Sequence, residues 1–92
     1  MEATIWKHVL TPGSNVLSLP STSTTLSIGW QGEQLVMWVL MLDPGFAHQR
    51  IERRFLVVVT GETFERLNTD KYVGTAVCGR SGIVLHVFEA KS

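Results

Sequence analysis

The stretch Gln34–Leu42, QLVMWVLML, decides the fold. Read as a strand, it places Leu35, Met37, Val39 and Met41 on one face and Val36, Trp38, Leu40 and Leu42 on the other. A strand with one wet face alternates apolar and polar residues, whereas a continuous apolar run needs cover on both sides. Residues 82–89 (GIVLHVFE) repeat the pattern less strictly. The rest of the chain carries almost no helical periodicity. Cover must come from a sheet folded over, a short helix or another chain.

Working outward, the flanks read as short strands between turn signals. Residues 4–10 (TIWKHVL) close on Thr11-Pro12-Gly13, residues 15–19 (NVLSL) end at Pro20, and residues 25–30 (TLSIGW) alternate cleanly. Gln31-Gly32-Glu33 joins that last strand to Gln34–Leu42 as a hairpin. After Asp43-Pro44-Gly45 the chain re-enters a strand at 50–60, charged in its first half and a valine run in its second. Residues 72–78 and 82–89 form a final hairpin around Gly79-Arg80-Ser81-Gly82. Residues 62–68 (ETFERLN) are the one helical candidate, capped by Thr63 and two turns long. The expectation is a single all-β domain over residues 1–92. It is a small, mainly antiparallel sandwich or barrel of six or seven strands, with short connections that suggest a meander.

With 92 residues, 45% hydrophobic and 17% charged, the chain sits on the apolar side of a small domain. Eight basic residues balance eight acidic ones, which argues against general nucleic-acid binding, since counterion release rewards a basic excess. The lone Cys78 fits a reducing compartment, and its neighbours Val73, Ala76 and Val77 suggest an inert core thiol. The opening residues lack the basic and apolar regions of a secretory signal, and no apolar run spans a bilayer as a helix. Cytoplasmic location, without membrane contact, is the expectation.

Several pieces recur in a fixed order: Ile5-Trp6-Lys7, Leu19-Pro20, Leu26-Ser27-Ile28 with Gln31, Trp38 followed by Asp43-Pro44, Arg54-Phe55, Thr60-Gly61-Glu62, Tyr72-Val73-Gly74-Thr75 and Leu85-His86-Val87-Phe88-Glu89. Together they resemble an uncharacterised family of short phage and prophage proteins. That family has an IWKY-like opening, an LWALVDP-like centre, a GTG turn and a YIGT…FHVFE ending. His8 stands where the family has Tyr, and residues 63–69 replace a segment that often bears proline. The resemblance implies a phage-associated origin and no assigned reaction.

Chemistry-bearing residues are sparse. His8 and His86 lie on strands that, if paired, bring two imidazoles together near Glu89, the basis for a small-hydrolase alternative. A metal site needs three or four such ligands in tight geometry, and none is expected. No nucleophile motif, phosphate loop or paired carboxylates occur, so no catalytic residue and no cofactor are assigned. Arg50, Arg53 and Arg54 form the one local charge cluster, which either holds a phosphate or carboxylate or discourages edge pairing.

Trp6 and Trp38 with Arg53, Arg54 and His86 are the expected ligand-binding set, since aromatics beside arginines suit a nucleotide-like ligand. Val36, Trp38, Leu40 and Phe46 are the expected interface, through which a homodimer buries the second apolar face. The leading reading is a non-enzymatic phage-type protein that interferes with a host defence process. It would sequester a small nucleotide-like ligand or mask a host protein. A structural or assembly role in the phage particle is the alternative.

Overall fold

The computed structural model describes residues 2–42, 49–66 and 70–90. Seven strands form: β1 (Ala3–Leu10), β2 (Gly13–Pro20), β3 (Thr24–Gln31), β4 (Gln34–Leu42), β5 (Arg50–Val59), β6 (Lys71–Val77) and β7 (Val84–Ala90). They make two antiparallel sheets, one ordered β1-β4-β3 and the other β2-β5-β7-β6. The architecture is a sandwich and not a closed barrel. The expected hairpins β3–β4 and β6–β7 are present.

The meander is not. β1 pairs with β4 and β2 with β5, so the chain changes sheet at Leu10–Gly13 and again between Pro20 and Thr24. Proline has no N–H to donate to a ladder, and at Pro12-Gly13 the chain crosses the sandwich rather than returning along β1. The short connections β1–β2 and β2–β3, expected to join neighbours within one sheet, bridge the two sheets instead.

The strand β4 occupies the centre of its sheet, and its Leu35, Met37 and Val39 are buried. Against them pack Leu19, Phe55, Val57, Leu85 and Val87 from the facing sheet. The layers meet most closely along β3 and β6. There a Cβ on Gly74 would lie 3.1 Å from Ile28 Cγ1, so the missing side chain permits the approach.

The second face of β4 is covered largely from within the chain. Val36 is fully buried, and Trp38, Leu40 and Leu42 are half-buried. Lys7 on β1 donates to Gln31 Oε1 on β3 at 2.6 Å. Those two residues are in register with Trp38 and Gln34, so the bond crosses β4 over the row that holds Val36. The lysine stem thus shields apolar surface while its head finds an acceptor. The Trp38 ring leans on Gly29, where a Cβ would approach it to 3.1 Å.

No helix occurs among residues 62–66; residues 67–69 lie outside the described set. Glu62 turns back to accept the Val59 N–H at 2.8 Å, and Phe64 stacks on Phe88 with ring centroids 5.4 Å apart. A two-turn helix is marginal in water, and an irregular strap that seats Phe64 on the sheet replaces it here.

One ion pair closes an end of the sandwich. Arg53 and Glu89 both face inward, with side chains 14% and 16% exposed. The guanidinium grips the carboxylate through Nε at 2.6 Å and Nη2 at 2.8 Å, while Nη1 donates to the Ser23 carbonyl at 2.9 Å. The Phe55 ring lies 5.7 Å beneath. The bonded carboxylate raises the Arg53 pKa further, so this cation is permanent. Removing one partner of such a pair strands the other's charge. Glu89→Ala is expected to cost about 3 kcal/mol in urea unfolding, and pairing it with Arg53→Met to restore most of that loss.

His8 also faces inward, paired with Met37, and its Nε2 is buried. Burial, and secondarily the positive charge of Arg50, hold its imidazole below the usual value. The unfolded chain therefore binds more protons than the folded one between the lowered value and about pH 6.5, so stability rises with pH across that window. The urea midpoint is expected to fall as pH drops below about 6.5, and His8→Asn to shrink that fall relative to wild type measured in parallel.

Candidate functional site

Two surfaces present side chains that binding can use, and they lie on opposite sides of the sandwich. The first is the outer face of the four-stranded sheet. Alternation along β5 and β7 turns Arg54, Leu56, Val58, His86 and Phe88 outward, and the strap at 62–66 crosses above them. Phe88 carries Phe64, Tyr72 with its ring centroid 5.6 Å away, and the Arg66 guanidinium 5.5 Å from its centroid. Beside the strap lies a cleft of about 370 Å³ lined by Ser14, Arg54, Leu56, Glu65, Asp70, Phe88 and Ala90.

His86 anchors a chain of hydroxyls on this face. Its Nε2 meets Thr60 Oγ1 at 2.6 Å and its Nδ1 meets Thr75 Oγ1 at 3.0 Å, while the Tyr72 hydroxyl bonds Thr75 in turn. Both ring nitrogens are engaged, one as donor and one as acceptor, which fixes the ring's orientation and leaves no nitrogen unpartnered. No cluster of metal-ligating side chains exists among the described residues.

The second surface is the outer face of the three-stranded sheet. Ile5 is 57% exposed and Val9 46%, and they flank the half-buried Leu40 and the buried Val36 in register. Lys7 is the charged residue in the middle of this face. Along β1 and β4 the rest of this face is mostly apolar, while Ser27 and Gln31 stand on its β3 side.

The sequence-derived set is thus divided. Arg54 and His86 share the outer face of the four-stranded sheet, and Trp38 sits on the outer face of the other sheet. Arg53 points into the sandwich with its donors committed to Glu89 and Ser23. Trp6 points to the core side of β1, yet is 57% exposed, in a half of the strand whose residues are all exposed. One pocket within a single chain does not hold all five.

His8 and His86 do not converge either. Their strands belong to different sheets, and their rings turn to the inner face of one and the outer face of the other. Of the expected interface, Val36, Trp38 and Leu40 share one face, while Phe46 lies outside the described residues.

Phe64, Glu65 and Arg66, which the sequence suggests as part of a helix, build the strap, and Asp70, which falls in none of the expected elements, completes the cleft rim. Their one signal is an aromatic flanked by charges directly after a strand. Cys78 differs from the apolar thiol expected. It is buried at the β6–β7 turn, and the Ser81 hydroxyl, with the amides of Ser81 and Arg80, lowers its pKa.

No helix among the described residues is long and apolar enough to cross a membrane. No curated protein and no solved structure matches the chain. The family model for a domain of unknown function, DUF7352, matches residues 1–92, and the chain belongs to that family.

Proposed function

We propose that this chain is a non-enzymatic binding protein of phage or prophage type, acting in the host cytoplasm by masking a host protein. The observation that carries the reading is the outer face of the three-stranded sheet, where Ile5 and Val9 stay exposed around Leu40. An apolar face that carries one cation suits a protein surface that offers apolar side chains and one carboxylate opposite Lys7. The phage assignment rests on the resemblance of the opening, centre and ending motifs.

Sequestration of a nucleotide-like ligand has its own support in the cleft beside Phe88, where an aromatic ring and Arg54 stand together. Two carboxylates, Glu65 and Asp70, line the same cleft and oppose a polyphosphate, so the masking reading comes first. The hydrolase alternative, using His8 or His86, ranks last, because the two imidazoles stand apart on different sheets and neither has the other as a partner base.

Native mass spectrometry of protein purified from a host-like expression strain tests this order. The expected result is one host protein at fixed stoichiometry, lost in Leu40→Lys while the far-ultraviolet circular dichroism is kept. An added mass of a few hundred daltons, lost in Arg54→Ala, moves the function to the cleft. Large concentration-dependent assemblies without a host protein favour the assembly role.

A further inference from the structure

We infer that β1 is a self-association edge, through which a second copy of this chain pairs antiparallel to join two three-stranded sheets into one of six strands. The four edge strands differ in how they discourage pairing. β3 is bulged between Thr25 and Ser27, β6 between Tyr72 and Gly74, and the two run beside each other where the sandwich closes. β2 ends in Pro20. β1 has no bulge: its eight residues hold an unbroken register with β4 and include neither proline nor glycine, and its lysine, Lys7, is drawn across β4 to Gln31 and away from the free edge.

Every second N–H and C=O of β1 points away from β4, and no backbone bond from another described segment meets them. The strand is exposed on both faces over most of its length, with Ile5 on the outer side and Trp6 on the inner. The free N–H and C=O groups of such an edge match those of a second copy turned about a twofold axis.

Symmetry restricts the register. A twofold axis perpendicular to the sheet keeps the faces aligned, so residues opposite each other must share a face. The two centres that pair most of the strand are therefore Trp6 against Trp6 and Lys7 against Lys7 of the second copy. The latter opposes like charges directly, which is unfavourable. The former puts the two indoles together, Ile5 opposite Lys7, and Ala3 opposite Val9.

In that arrangement both outer faces look the same way, and the apolar surfaces around Leu40 become one continuous platform. The platform's use rests on the masking reading above; the pairing itself does not.

Sedimentation equilibrium from low micromolar concentration upward reads the association. Wild type is expected to approach the dimer mass, and Trp6→Glu, which opposes two carboxylates at the axis, to weaken the dimer at least about tenfold. In a Cys78→Ser background, Trp6→Cys should form a disulfide-linked dimer under mild oxidation, because the two position-6 side chains are direct cross-strand neighbours at the axis. Lys7→Cys should not. Leu40→Lys should remain dimeric even where it loses the host protein, which separates failure of the two readings. A monomer at all concentrations, a dimer indifferent to Trp6→Glu, or self-linkage through Leu40→Cys instead would overturn the edge pairing.

Discussion

The need to cover β4 on both faces governs this molecule. A central strand with Leu35, Met37 and Val39 on one side and Val36, Trp38 and Leu40 on the other cannot lie on a half-wet sheet. The first side is met by the facing sheet, whose Phe55, Val57 and Val87 supply the opposing layer. The second side is met at close quarters by a lysine stem bonded across the strand and an indole laid on a glycine. Such cover excludes water from one row, at Val36, and leaves the neighbouring rows partly open. The surface that results is apolar yet compatible with a folded single chain.

The same economy appears on the far side of the sandwich. Leu56, Val58 and Phe88 turn outward from a sheet with no second layer to receive them. The strap at 62–66 takes that place, with Phe64 and Arg66 on the Phe88 ring and Glu62 bonded back to Val59. An irregular segment can do this because its contacts are few and its backbone stays solvated at the surface. Charged residues arriving with the strap bound the cleft and set its mixed polarity. The arginine that faces inward, Arg53, is held by a carboxylate and a carbonyl, so its charge serves closure of the core rather than recognition.

Much of the strand layout was legible. Continuous apolar runs, clean alternation in TLSIGW and glycine- or proline-bearing turns place all seven strands close to where they lie. Those signals are local, and local geometry is what alternation and turn chemistry report. The candidate site was less legible, because Trp6, Trp38, Arg53, Arg54 and His86 were grouped by chemistry, and side-chain type does not say which sheet a strand joins. Arg53 and Arg54 are adjacent in sequence, yet β alternation sends one into the core and the other to solvent.

The sequence by itself determined that the protein is all-β and that Gln34–Leu42 is apolar on both faces and needs cover on each. These follow from side-chain periodicity and from the absence of any apolar helical stripe. Only the tertiary structure decided that β1 pairs with β4 and β2 with β5, that His8 and His86 stand apart, and that 62–66 is a strap. Such choices depend on which distant strands share hydrogen bonds. The backbone groups that make those bonds are the same in every residue, so the pairing is selected by the packing of whole layers and not by any motif.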